Sequence, residues 1–427
     1  MISPTTAVVH STSPCTKIPP EIELYIVQAL IETHKTSKKP LFRLSTFASV
    51  SKTWRALIEK ETYNHIKIAS HELDTFKHHV RSYRKLLVEH ILLEISYNFR
   101  LDEVGDDSDQ VQFSKAVHAL WRILSRWKTH RVTVELGIVS TRARRFIEQG
   151  ATSLPDVDAI AELVIRREYF PNISPITLYE IISSAPCIES IHIERWCYGN
   201  REQDRHWDRA FQQSGLLVPD STKRLAFFEE FHTQYHQQNG AMVLPRSNRT
   251  VLESIFNAAD RLEHIAVSFA FDAQTFFDRL IQTDLKALKT LALTSSFSNT
   301  SESLLINAAQ AVKHMHALKI LEIWNFKAGQ ADVFRYERLD RDHGRITWQS
   351  TRNREISSVV EGSWKDLLMS RQSGFDIKRS SFPTGIGSLH DLLPHLKLGE
   401  QIVQTLARNS DLYWLFHVTV VCGITAQ

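Results

Sequence analysis

A recurring set of three apolar residues constrains the fold of this chain more than any other feature of its sequence. The three residues are spaced i, i+3, i+5, so the last two share one face of a β-strand. A helical apolar pattern precedes most copies, and the last three copies start about 26 to 30 residues apart. The copies begin at Val88, Ile188, Leu262, Leu288 and Leu318, with a partial copy over Val132–Leu136.

Helix followed by strand, repeated at this period, predicts an α/β fold of a particular kind. We expect residues 69–408 to form an irregular leucine-rich-repeat-like, right-handed α/β solenoid that binds a target protein. The asparagine that usually follows such strands is missing from most copies. An unrelated α/β domain with a mixed sheet is the alternative.

Residues 199–248 interrupt the array and carry aromatic residues among charges. A long unpatterned stretch is either a binding loop or an argument against the repeat assignment. We interpret it as an insertion with a helical excursion near 227–231. Beyond it, 335–337 and 345–349 predict one more strand, and 357–368 a helix. The apolar tail at 409–427 is too short for a membrane helix, so a terminal strand or buried cap is expected.

The N-terminal region carries a second pattern, which predicts short amphipathic helices. Two prolines and Glu21 favour a helix start near residue 19. Ile22, Ile26 and Leu30 then recur every fourth residue, and a second apolar stripe follows over 44–58. Residues 1–16, rich in Ser, Thr and Pro, are predicted to be a disordered lead-in. Helices this short need a partner for their apolar stripes, inside the chain or outside it.

The residues of this region resemble an F-box, and closely the version found in fungal F-box proteins of unassigned substrate. The pattern runs Ile-Pro-x-Glu-Ile from Ile18 and Val-Ser-Lys-x-Trp-Arg-x-Leu from Val50. The link over 31–43 is longer than in the compact form, which loosens the match. The resemblance implies a three-helix F-box over 17–68 whose adaptor-binding residues are Ile18, Pro19, Pro20, Ile22, Ile26, Leu30, Leu44, Val50, Ser51, Trp54 and Leu57.

F-boxes resembling this one dock on a Skp-type adaptor and through it on a cullin ubiquitin ligase. The resemblance therefore implies a substrate-recognition subunit of the ubiquitin conjugation pathway, with no catalytic group of its own and an unknown protein substrate. Catalysis would come from proximity alone. Trp54 is the expected anchor between box and repeats. The alternatives are a repeat-type binding scaffold with a degenerate box and, more remotely, an α/β hydrolase or transferase.

Composition and motifs limit other functions. A net charge of +3 argues against nucleic acid or membrane as partner, and only 14 glycines in 427 residues disfavour nucleotide binding. No secretory signal is evident and the four cysteines are scattered, so a cytoplasmic or nuclear protein is expected.

No catalytic motif and no cofactor or metal site is predicted. Cys187, His192 and Cys197 lack a fourth ligand at zinc spacing. The acidic run 106–109 lacks the glycine of a calcium loop. The basic run 142–145 has acidic neighbours, which argues against a nucleic-acid patch.

Overall fold

The chain divides into two compact units, residues 1–65 and 66–427. A computed structural model describes fifteen segments of it: 18–37, 43–96, 107–128, 130–139, 153–167, 173–196, 201–230, 248–280, 285–295, 302–327, 329–340, 343–352, 356–369, 374–382 and 385–404. The predicted lead-in at 1–16 and the predicted tail at 409–427 lie outside these segments.

The first unit is helical. Helix α1 spans Pro20–Thr36, a 3-10 turn spans Leu44–Ser49 and helix α2 spans Lys52–Asn64. Pro20 at the first helical position loses no hydrogen bond, because that N–H would have no partner within the helix. Ser51 caps α2, since its hydroxyl accepts a hydrogen bond from the backbone N–H of Trp54 at 3.1 Å.

The second unit contains a twelve-stranded sheet in which the strands follow one another in chain order. The sheet is open rather than closed into a barrel, and the predicted α/β class is confirmed. The strands are β1 His65–Ala69, β2 His90–Ser96, β3 Val132–Val139, β4 Ile160–Ile165, β5 Ser190–Trp196, β6 Arg224–Glu230, β7 His264–Ser268, β8 Thr290–Thr294, β9 Ile320–Lys327, β10 Gln330–Arg338, β11 His343–Ser350 and β12 Gly374–Ser381.

Helices separate most of the strands. They are α3 Leu73–His79, α4 Asp107–Leu124, α5 Pro175–Ser183, α6 Arg201–Ser214, α7 Arg249–Asn257, α8 Ala273–Leu280, α9 Glu302–Val312, α10 Ser358–Met369, α11 Leu389–Leu392 and α12 Gly399–Ile402. From β2 to β9 every neighbouring pair is parallel, as is the pair β11 and β12. Strand β10 is antiparallel to both its neighbours, which makes the sheet mixed.

One face of the sheet packs against helices. The side chains of α10 and α6 reach it: Trp364 contacts Phe334 and Tyr336, and Phe211 stacks on Phe227. We name it the helix face. The apolar triples end on this face, because the register aligns Ile91, Val134, Leu163, Ile191, Leu225, Ile265, Leu291 and Leu321 in a single row.

The opposite face is covered over β6–β10 by residues 385–404, which we name the C-terminal segment. Three alanines in register, Ala226, Ala266 and Ala292, form a shallow trough across β6, β7 and β8. All three are buried, and they belong to one apolar cluster with segment residues such as Leu398 and Ile402. The small side chains leave the room that the segment occupies. We name this side of the sheet the segment face.

The structure corrects the interpretation of 199–248 as an insertion with a helical excursion near 227–231. Residues 201–214 are helix α6, and Arg224–Glu230 is strand β6, hydrogen-bonded between β5 and β7. The stretch therefore contributes a regular helix and strand to the array. The helix was not recognised because it is almost wholly polar, burying Trp207 and Phe211 among charged residues.

Candidate functional site

Helix α1 carries an apolar stripe on its outer side. Ile18, just before the helix, and Ile22, Tyr25 and Ile26 within it follow the i, i+4, i+7, i+8 spacing of a single helical face. Their exposed fractions are 57%, 51%, 70% and 39%. Val50, after the 3-10 turn, is 60% exposed. We name these five residues the outer stripe.

The inner side of the same helix forms the core of the first unit. Val27 is fully buried and meets Leu44 and Ile58 in one cluster. Leu30 and Ile31 pack against that cluster from α1, as do residues 47, 48, 54 and 57 from the other helical segments. Helix α1 thus has an apolar stripe on both sides, although one stripe suffices to hold it in the unit. None of the five outer-stripe residues belongs to this core cluster as the structure describes it.

The structure divides the predicted adaptor-binding residues between these two sides. Those that are exposed are Ile18, Pro19, Pro20, Ile22, Ile26 and Val50, whereas Leu44 is buried and Leu30, Ser51, Trp54 and Leu57 are partly buried. Ile22, Ile26 and Leu30 recur every fourth residue, and the structure separates them: the two isoleucines are exposed, whereas Leu30 packs against the core of the first unit. Tyr25 was missed, although its i+3 spacing from Ile22 could have identified it.

Two of the partly buried residues, Trp54 and Ser51, make contacts that hold the first unit together. Trp54 lies against Phe47 with ring centroids 6.3 Å apart and packs on the unit core. The hydroxyl of Ser51 donates to the Glu23 carboxylate at 2.6 Å, which links the start of α2 to α1. The predicted role of Trp54 as an anchor to the second unit stays a prediction.

The second unit differs, because its segment face buries carboxylates and uses them as acceptors. Both oxygens of Glu322, which is fully buried, accept backbone N–H groups of the C-terminal segment, from Lys397 at 2.9 Å and Leu398 at 2.8 Å. The Arg335 side chain donates to the same carboxylate at 2.6 Å. Charge pairing and hydrogen bonding together make this burial tolerable.

Glu194 is a second buried acceptor on this face. It accepts hydrogen bonds from His192 at 2.8 Å and from the backbone N–H of Gln404 at 3.1 Å, and Arg167 lies 3.8 Å away. Burial by itself would raise the pKa of Glu194. The hydrogen bond and charge of His192, the charge of Arg167 and the Gln404 hydrogen bond outweigh it and hold the pKa below its ordinary value. The carboxylate is therefore ionised at neutral pH.

A cleft of about 230 Å³ opens on the segment face, where the C-terminal segment passes β4–β7. Residues of one register row form its floor: Glu162, Ser190, Arg224 and His264. Its remaining lining includes His192, Ala226, Ala266, Glu400, Gln401 and Gln404. Motif reasoning missed the cleft, because its residues come from four strands and a distant segment.

The other sequence candidates do not assemble into a site among the described residues. Cys187 is a partly exposed free thiol, His192 is bound to Glu194, and Cys197 lies outside those residues. No group of three or more His, Cys, Asp or Glu is placed to hold a metal in the part of the chain that the structure describes. The basic run 142–145 and the side chains of 106–109 also lie outside it. None of the described helices is both long and apolar enough to cross a membrane.

Comparison with known proteins identifies a family match within the second half of the chain. Residues 217–404 match a family described as a family of unknown function (DUF6546). The match takes in β6–β12, the alanine trough and the whole C-terminal segment. No curated protein matches this chain.

Proposed function

We propose that this protein is a substrate-recognition subunit of a ubiquitin ligase of the Skp–cullin–F-box type. Its first unit would dock a Skp-type adaptor through the outer stripe, and its second unit would hold the target protein. The observation that carries the proposal is the outer stripe: a small helical unit keeps its own core and still exposes Ile18, Ile22, Tyr25, Ile26 and Val50. Large apolar residues that recur on one exposed helical face, with Val50 next to the Ser51 that bonds to Glu23 of that helix, favour a protein-binding surface.

Burial of this stripe would favour complex formation. Each large apolar side chain that leaves water contributes about 1.5–3 kcal/mol. Pro19 and Pro20 follow Ile18, are exposed and stiffen the backbone there, which reduces the entropy lost on binding. Aromatic residues such as Tyr25 are frequent among the residues that contribute most to interfaces.

The longer link over 31–43 is compatible with docking, because its first six residues belong to helix α1 and the segments that it connects are in contact. Lys35 near the end of α1 forms an ion pair with Glu61 of α2 at 2.8 Å. Leu44 after the link packs with Val27 before it. The geometry of the unit therefore does not depend on the link being short.

The second unit supports the other half of the proposal. Its strands follow chain order, nearly all are parallel, and helices separate them, which favours an irregular leucine-rich-repeat-like solenoid. Such arrays serve as extended protein-binding scaffolds. A right-handed α/β solenoid also accounts for the period of the apolar triples, since each strand aligns its apolar pair with the next one.

The test is co-expression of the full chain with a Skp-type adaptor, followed by size exclusion. We expect a stoichiometric complex for the wild type and its loss in Ile22→Asp, because a charge in an apolar contact costs several kcal/mol. Val359→Asp is the matched control, since Val359 lies on α10 with a similar exposed fraction of 58%. It should leave the complex intact.

Two results would count against the proposal. A wild-type chain that elutes alone would leave a repeat-type binding scaffold with a degenerate box, which is the runner-up function. A complex that survives Ile22→Asp in a folded chain would show that the adaptor binds somewhere other than the outer stripe.

A further inference from the structure

We propose that the cleft on the segment face binds an α-ammonium group together with its neighbouring carbonyl or carboxylate oxygen, as found at the N-terminus of a peptide or in a free amino acid. The inference adds a ligand class to the proposed function. Its relevance to target recognition rests on that proposed function. The binding itself requires only the second unit. It assigns a ligand chemistry to a cleft that sequence reasoning did not identify.

The acidic side of the cleft is built around Glu162. Its carboxylate is held by three donors: the Ser190 hydroxyl at 3.0 Å, the Thr133 hydroxyl at 3.1 Å and the Gln404 side-chain amide at 3.3 Å. Ser190 is itself buried and lines the cleft. These donors fix the orientation of the carboxylate and occupy three of its about four acceptor sites, so about one remains for a ligand. An ammonium group supplies a donor for it.

The basic side is Arg224, whose side chain is exposed at the cleft. Register places Ser190 between Glu162 and Arg224, so their strands β4 and β6 are two spacings apart, a backbone separation of about 9.6 Å. Both side chains line the same small cleft, so an acidic and a basic group face one ligand volume. An amino group and the carbonyl or carboxylate oxygen of the same residue offer the two complementary groups close together.

His264 lies beside Arg224 in the row and adds an acceptor. The Thr290 hydroxyl donates to Gln401 at 2.8 Å, so it accepts from Nδ1 of His264, also at 2.8 Å. The neutral ring then has a lone pair at Nε2. Burial, followed by the charge of Arg224, lowers the pKa of His264, which keeps the ring neutral at pH 7. Along the row, the Glu162 carboxylate is therefore followed by the Arg224 guanidinium and then by the neutral His264 ring as an acceptor.

Size and charge exclude other ligand classes. The volume of about 230 Å³ is below that of drug-sized ligand sites and suits one amino-acid residue. Glu162 and Glu400 would repel a phosphate or sulfate, while Arg224 would repel a simple cation. The methyl groups of Ala226 and Ala266 provide a small apolar surface for the side chain of the bound residue. A group with both charges close together matches this lining best.

Calorimetry on the full chain without adaptor tests the proposal, with L-alanine, unblocked trialanine amide and N-acetyl trialanine amide as probes. We expect at least one unblocked probe to bind, and acetylation to weaken trialanine binding by about tenfold or more. Binding of trialanine amide would identify a peptide N-terminus as the source. Binding of L-alanine alone would identify a free amino acid.

Variants distinguish the cleft from the rest of the surface. Glu162→Gln and Arg224→Leu should each weaken the bound probe by about tenfold. Glu253→Gln and Arg279→Leu, a surface ion pair at 3.2 Å outside the cleft, are the matched controls and should change nothing. Arg224 is exposed, so its variant tests the cleft without a threat to folding. Equal binding of acetylated and free trialanine, or no binding of any probe, would overturn the inference whatever the adaptor result.

Discussion

The two units of this chain differ in their most distinctive side chains, although both bury some charge, Glu59 in the first unit included. The first unit buries Val27, Leu44 and Ile58 and leaves a row of large apolar side chains in water. The second unit buries carboxylates: Glu322 and Glu194 are both buried and accept hydrogen bonds from backbone N–H groups. A unit that exposes apolar surface is suited to a partner, whereas one that satisfies buried charges internally is suited to hold its own shape. This difference matches the two roles proposed above, adaptor docking for the first unit and target binding for the second.

The largest expected effect is on the stability of the second unit. Glu322→Ala leaves the buried Arg335 without its carboxylate and removes the acceptor of two backbone N–H groups. We expect a loss of about 3–5 kcal/mol in the free energy of unfolding. Denaturant unfolding followed by circular dichroism measures it, with exposed Glu253→Ala as the control. A loss below about 1 kcal/mol would mean that these bonds do not hold the segment.

The next comparison is within helix α1. Val27→Asp places a charge in the core of the first unit and should unfold that unit, at a cost of several kcal/mol. Ile22→Asp changes an exposed position and should alter stability by less than about 0.5 kcal/mol. Proteolytic cleavage within the first unit distinguishes the two variants. Equal resistance of both would contradict the assignment of inner and outer sides.

The alanine trough predicts a moderate effect. Ala292→Leu inserts a large side chain where the C-terminal segment packs, and should cost about 1–3 kcal/mol. Hydrogen exchange over 385–404 should become faster in this variant. Ala29→Leu, at an exposed position of α1, serves as the size-matched control. Unchanged exchange over the segment would show that the trough does not position it.

Glu194 predicts a dependence of stability on pH. Its pKa is lowered in the folded chain, so the ionised form contributes stability above the ordinary value of 4.5, and this contribution disappears as the pH falls through the folded value. The wild type should therefore lose stability below pH 4.5 faster than Glu194→Gln does. Thermal unfolding between pH 7 and 3 measures both curves. Parallel curves would show that Glu194 does not contribute to the pH dependence of stability.

The smallest effect concerns the ion pair between Lys35 and Glu61 at the surface of the first unit. Hydrogen bonding to Glu61 raises the pKa of Lys35, but both side chains are partly exposed. Lys35→Met should change the free energy of unfolding by less than about 1 kcal/mol and leave adaptor binding intact. A larger loss, measured by denaturant unfolding, would indicate that the link over 31–43 needs this pair.

Much of the sheet could be predicted from local spacing. The triples predicted strands at β2, β3, β5, β7, β8 and β9, and the apolar patterns before them predicted α4, α5, α7, α8 and α9; all are confirmed. The helix predicted over 357–368 is also confirmed as α10. These strands and helices could be predicted because each carries the same short apolar pattern and packs against an equivalent neighbour. Local sequence and packing therefore agree.

The segment face could not be predicted, because its contacts join residues far apart in the chain. Glu322 and Leu398 are 76 positions apart, and Glu162 and Gln404 are 242 apart. A glutamate that alternates with apolar residues along a strand has the pattern of a solvent-facing residue. The local sequence therefore does not indicate that it is buried. On helix α1, periodicity identified apolar residues but could not decide which stripe faced inward.

Hydrogen exchange on the full chain, with and without a Skp-type adaptor, tests the central claim most directly. We predict slower exchange in the presence of the adaptor over 18–30 and around Val50, and no change over 66–404. Protection that falls on the second unit, or is absent from the first, would contradict the division of roles between the two units.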